Sequence, residues 1–223
     1  LGSLVPASID GLIVCEKGIS VSNIVNGSTR LQPCVLLTGQ AAGVLAALAK
    51  QQQIQPRAVS VRKVQSTLLQ FKCYLMPFAD IDPSDSKWAP IQRIGVTGIL
   101  KGRGVAEGWA NKTYFDPDST IMVSSFERGL ADFYHCKEKP GTEDSILTIG
   151  RAFYKLLQHA RFATTSRTGP IIFDEMSWYN QLGLQHFDPK RPIRRAELAV
   201  MVDYYAHPFE TAEVDFSGKQ KSR

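Results

Sequence analysis

Seventeen residues from Pro33 to Ala49 carry no charge, and no other stretch limits the possible folds of this chain so strongly. The run is dense in small residues: Gly39, Ala41, Ala42, Gly43, Ala46, Ala47 and Ala49. Its composition predicts a helix. Ser28 and Thr29 stand where a hydroxyl could cap the first turn, and Pro33 is tolerated only near that start. Glycine inside a helix costs about 1 kcal/mol relative to alanine, so Gly39 and Gly43 predict that something approaches this backbone closely. Three readings fit the residues. The helix could be a buried packing element. It could be a transmembrane span, although the run is short of the ~20 apolar residues required and contains Thr38 and Gln40. Or its positive N-terminal end could face an anionic or electron-rich ligand.

Around this helix the first 75 residues predict one strand and one more helix. Leu12 to Cys15 is a short apolar run after the turn residues Asp10 and Gly11, which reads as a buried strand. Gly18 marks a turn. From Ala58 to Phe71, Val61, Val64, Leu68 and Leu69 fall at helical spacing. The net charge of +5 resides here, with seven basic and two acidic residues, while the rest of the chain is balanced. That bias suits a dinucleotide diphosphate or another anionic partner. It suits equally a solvated helix face for Arg57, Arg62, Lys63 and Lys72. No interleaving of basic and aromatic residues points to nucleic acid. Of the four cysteines, none forms a CxxC pair or stands at ligand spacing from a histidine, so no metal site is expected. Cys15 and Cys34 read as small hydrophobes.

At Met76 and Pro77 the composition shifts to Pro, Asp and Ser, as in a linker or extended lead-in. A helix follows, with Trp88, Ile91, Ile94 and Gly95 on one face, Asp85 or Ser86 as its cap and Gly98 at its end. Gly102 to Gly108 spells GxGxxxG, which reads as a surface turn and not as a phosphate loop. Phe115-Asp116-Pro117 then precedes Ile121 by the interval at which Phe187-Asp188-Pro189 precedes Ile193. Both lead into helices, and the offset of 72 residues suggests a repeat. Ile146 to His159 supplies a further helix of this kind without an FxP partner. His135, His159, His186 and His207 form no triad pattern. The polar end, residues 213–223, is expected to be disordered.

The stretch GSTRLQPCVLLTGQAAGVLAALA, with SLVPASIDGLIVCEKGISVSN before it, resembles the C-terminal end of the FAD-dependent oxidoreductase family built on the glutathione-reductase-type Rossmann fold. VSVRKVQSTLLQ resembles the helix that follows there. The resemblance covers residues 1–75 and implies a strand-loop-helix that closes a flavin domain. Arg30, Gln32 and Pro33 would then face the flavin, and Gly39, Gln40 and Gly43 would pack close to the cofactor domain. Where the family commonly reads AGR, this chain reads Cys15-Glu16-Lys17, placing a negative charge at a glycine position. The implied cofactor is FAD in the full-length protein. The N-terminal βαβ unit with its Gly-rich phosphate turn is missing, so this chain alone is expected neither to hold FAD nor to turn over. Its implied partner is the missing N-terminal flavin domain. No general acid or base is indicated, and a membrane location is not expected.

The second part resembles the S-layer homology domain of bacterial cell-envelope proteins. FADIDPSDSKWAPIQRIGVTGILKG with FDPDSTI matches one repeat, and WYNQLGLQHFDPKRPIRRAELAVMVDYY matches another, with RRAE standing for TRAE. Val123-Ser124-Ser125-Phe126 departs from TRAE in the first. The resemblance implies an all-α helical module over residues 76–212, an envelope or secreted location, and cell-wall polysaccharide as ligand of Arg195 and Glu197. Arginine suits a charged glycan because its planar fork pairs with carboxylate. Glu197 would equally serve the positive helix end. The expected fold class is therefore mostly α: a strand-plus-helix remnant of a Rossmann-type FAD domain, then the helical module. The competing class is a non-enzymatic binding or protein-interaction module.

Overall fold

The computed structural model describes residues 1–136, 143–160 and 173–221. The chain is mostly helical and falls into two compact units, Leu1–Leu75 with Ala212–Arg223, and Met76–Thr211.

In the first unit, α1 (Asn23–Thr29) and α2 (Gln32–Gln52) meet at a corner. Ser22 caps α1 by accepting from the Val25 N–H. Ser28 Oγ and Thr29 Oγ1 both donate to the Val25 carbonyl. They close the end of α1 and do not cap α2, contrary to the sequence expectation. A polar turn between two apolar segments cannot say which helix its hydroxyls serve. α2 ends in the left-handed conformation at Gln53. Its buried face, Leu45, Leu48 and Ala49, packs on Val59 and on Val64 and Leu68 of α3 (Val61–Gln70). Ala42 packs with Leu4 and Ile19. Burial of each such Leu or Val stabilises by roughly 1.5–3 kcal/mol, and this layer is the core of the unit.

One expectation is corrected here. Leu12 to Cys15 is irregular, with no strand beside it among the described residues. An apolar run becomes a strand only where a partner completes its hydrogen bonds. In the tail, Val214 bridges Gln220, and the Phe216 carbonyl accepts from the Gly2 N–H at 2.9 Å. Arg62 donates to the Ala212 carbonyl and Ser60 to Glu213. These long-range bonds join the described part of the tail to the first unit.

In the second unit, α4 (Trp88–Thr97) buries Trp88, Ile91 and Ile94 and stops at Gly98, φ 79°. Lys87 precedes it without a side-chain cap of its own, and Asp85 accepts from the Lys87 N–H. A hairpin follows, β1 (Arg103–Glu107) and β2 (Ala110–Tyr114). It lies where the sequence suggested only a turn in an all-α module, and it is the sheet of the described residues. Its strands are exposed, so no apolar alternation announced them.

The helices α5 (Val123–Tyr134), α6 (Ile149–Ala160) and α7 (Arg195–Ala206) each follow a short extended segment. The three segments are joined in a closed triangle. Thr120 bridges Arg194, Met122 bridges Ile146, and Thr148 bridges Pro192. The first helical residue of each helix donates across the triangle: Val123 to the Ser145 carbonyl, Ile149 to that of Arg191, and Arg195 to that of Ser119, at 2.9, 3.1 and 2.9 Å. Ile121, Leu147 and Ile193 are buried within it. Cyclic pairing leaves no segment with a free edge. α5 and α7 superimpose in sequence at the 72-residue offset and end at His135 and His207, both left-handed. α4 is tied to α7 by Arg93, which donates to Asp203 through Nε and Nη2. That bond raises the Arg93 pKa further.

Gly129 of α5 lies against the backbone of Ile99: a methyl group there would stand 2.1 Å from the Ile99 carbonyl oxygen. Gly129→Ala is expected to lower stability by about 1–3 kcal/mol despite alanine's better helix propensity, measured by urea unfolding. An unchanged midpoint would contradict this packing.

Candidate functional site

The candidate residues of the first unit gather along one side of α2. Arg30 closes α1 in the α region, with its N–H bonded to the Asn26 carbonyl at 3.2 Å. Leu31 is extended and precedes α2 without a side-chain cap, and Pro33 lies in the first turn. The opening amides of a helix carry partial positive charge, and here no side-chain cap bonds to them. Leu31, Gln32 and Pro33 are exposed around that end. Asn26 Oδ1, one turn before Arg30, is shielded from solvent without a hydrogen-bond partner.

Further along, Gln32, Leu36, Gln40, Gly43 and Ala47 recur at three- and four-residue steps, so they form one stripe. All of them are exposed, Leu36 at 69%. Ile24, Val25, Leu31 and Leu37 add exposed apolar area beside it. A methyl group at Gly39 or Gly43 would meet nothing within 4 Å. The close neighbour expected from these glycines is therefore not supplied by the described residues. α2 spans 21 residues and has the length and composition to cross a membrane. Its other face nonetheless packs against α3 and Leu4.

Glu16 adds a feature that sequence reading missed. Its φ is +59°, in the left-handed region that favours glycine. The resemblance places a glycine of the family at this position. The backbone thus has a glycine-like conformation although the side chain is a carboxylate.

In the second unit Arg195 and Glu197 lie at the start of α7. Arg195 Nε donates to the Phe115 carbonyl at 2.7 Å and Nη2 to the Lys101 carbonyl at 2.8 Å. Its guanidinium lies 4.8 Å over the Phe115 ring, and burial lowers its pKa. Glu197 accepts from both Arg191 Nη1 and Nη2 and from the Arg194 N–H. Both residues are thus engaged inside the fold. Asp80 completes the arrangement by accepting from the N–H groups of Phe115 and Asp116 at 2.8 and 2.7 Å. The recurrence of Phe and Asp in FADIDP at 78–83 was the signal for it. Among the described residues no group of three or more His, Cys, Asp or Glu could hold a metal ion.

Residues 1–68 match the family model of FAD dependent oxidoreductases. The match spans the α1–α2 corner, the bare stripe and most of α3. No curated protein and no solved structure matches the chain.

Three substitutions separate the roles of these residues. Gly39→Ala and Gly43→Ala, free of any neighbour, should each raise the stability of residues 1–223 by about 0.5–1 kcal/mol through helix propensity. Arg195→Ala removes a charged donor from two carbonyls and should lower it by about 1–3 kcal/mol. Chemical denaturation of the three variants checks both signs.

Proposed function

We propose that residues 1–75 are the closing segment of a glutathione-reductase-type flavin domain, within a FAD-dependent oxidoreductase whose remaining domain supplies the other wall of the cofactor site. The observation that carries this reading is the two-faced character of α2. One face is sealed by the unit's own core, while the other is apolar, rich in small residues and open. The family match over residues 1–68 falls on this element. The residues present fit one side of FAD: an uncapped helix end, a shielded Asn26 oxygen without partner, and a stripe on which Gly39 and Gly43 admit close approach. They do not supply the diphosphate cradle, which in such folds is a βαβ unit with a Gly-rich turn.

When bound, the flavin supplies the hydride chemistry. The role of this chain's residues is electrostatic and steric. The opening amides of α2 favour negative charge beside Gln32 and Pro33. Gly39, Gln40 and Gly43 form a smooth surface against which the cofactor domain seats. Leu36 and Leu37 exclude water from that contact once it forms.

The second reading concerns residues 76–211, which we propose to be an S-layer-homology-like module for cell-wall polysaccharide or protein contact. The closed triangle of segments before α5, α6 and α7 favours it. Arg195 and Glu197 then act by holding the segments in register, because their polar atoms are already engaged by the fold. Retention of purified chain by isolated cell-wall polysaccharide supports the glycan form. Failure to be retained, with the fold intact, leaves the protein-contact form.

Gly43→Leu tests the flavin reading. In residues 1–223 it should leave the melting temperature unchanged or higher. In the complete protein it should reduce bound FAD, read from visible absorbance per polypeptide. Full flavin content in that variant, or stoichiometric flavin in purified residues 1–223, would contradict the assignment.

A further inference from the structure

We propose that the outer edge of β1 pairs with the same edge of a second copy, forming a four-stranded antiparallel sheet about a two-fold axis through Val105. The two-residue turn at Gly108 and Trp109 fixes the geometry, with Gly108 at φ +56° and Glu107 opposite Ala110. In an antiparallel hairpin closed by such a turn, the pairs that exchange backbone bonds are the closing pair and every second pair after it. Those are Glu107/Ala110, Val105/Lys112 and Arg103/Tyr114. The N–H and C=O groups of Gly104 and Ala106 therefore turn to the outer edge. Both residues are exposed, and a methyl group at Gly104 would meet nothing within 4 Å. The inner edge, in contrast, is engaged: Phe78 bridges Thr113, whose carbonyl accepts from the Ala79 N–H.

The sequence of this edge, Arg-Gly-Val-Ala-Glu, complements itself when reversed. With Val105 opposite Val105, Gly104 stands opposite Ala106 and Arg103 opposite Glu107, each pair occurring twice. The register places outward-facing backbone groups opposite each other, giving four new N–H···O=C bonds. It also sets two opposite-charge pairs on one face, which stabilise antiparallel neighbours, whereas like charges there destabilise. Lys112 already lies 2.8 Å from Glu107 on that face, so the carboxylate would sit between two cations. Charges on an edge strand normally discourage pairing. Here they select one partner in one register, an isologous contact of the kind that closes dimers. Five residues per strand bury less than the roughly 1,200 Å² of a stable interface, so the dimer is weak and forms with rising concentration.

Sedimentation velocity of residues 1–223 over a range reaching millimolar concentration tests this. The mass should rise from 24.7 kDa toward twice that value. Glu107→Lys sets like charges opposite Arg103, and Arg103→Glu sets them opposite Glu107. Each should weaken self-association by about tenfold or more. An equimolar mixture of the two variants should recover it, because every opposed pair is then of opposite sign. Ala106→Pro removes an outward N–H that the hairpin does not use, and should abolish the dimer while leaving the melting temperature of the monomer. A mass that stays at the monomer value throughout would overturn the proposal. So would charge variants that associate like the parent through another surface, or a mixture that fails to recover association.

Discussion

The first unit depends on the burial of one face of α2, and the opposite face of the same helix is open. Leu45, Leu48 and Ala49 hold α3 and the loop at Val59, and Leu36, Gly43 and Ala47 on the opposite side are exposed. Exposed apolar side chains are common singly, but a contiguous patch marks a contact surface. The glycines sharpen the point. In a solvent-facing helix they only cost stability, and so they make sense where another backbone or a flat ring comes near. Glu16, held in a conformation natural to glycine, lies in the same unit and in the same family match.

The second unit is built on a different principle. Its helices are not aligned by a sheet but by three short segments that satisfy each other's backbone in a cycle. Arg195 extends this logic to side chains, since its guanidinium serves carbonyls of two earlier loops instead of solvent. Arg93 and Asp203 do the same for α4 and α7. A pair of this kind, largely withdrawn from solvent, is costly to break from one side only.

Much of this could be read from sequence, and the exceptions have physical causes. α3 and α4 were legible because their apolar residues recur at helical spacing, α2 because its uncharged run is rich in Ala, and the helix after each FDP motif because the motif recurs. Gly98 was legible as a stop because a left-handed residue is needed there. The hairpin was not, because Arg103 to Tyr114 presents exposed residues on both faces and leaves no alternation to detect. Leu12 to Cys15 misled because composition reports burial and not pairing. The fate of Ser28 and Thr29 depended on where the chain turned between α1 and α2, a decision made by packing. For the site, the density of small residues in α2 was visible in the sequence, but which of them face outward was not, because burial is set by how α3 packs. That Arg195 faces inward was not, since the carbonyls of Lys101 and Phe115 reach it only in the folded unit.

The most direct measurement is solvent access at the centre of the stripe. A cysteine introduced by Ala47→Cys can be labelled with a maleimide and quantified by mass spectrometry, both in residues 1–223 and in the complete flavin-loaded protein. The account predicts rapid labelling in the former and strong protection in the latter. Equal labelling in both would show that nothing seats on this face, and the flavoprotein reading would fall with it.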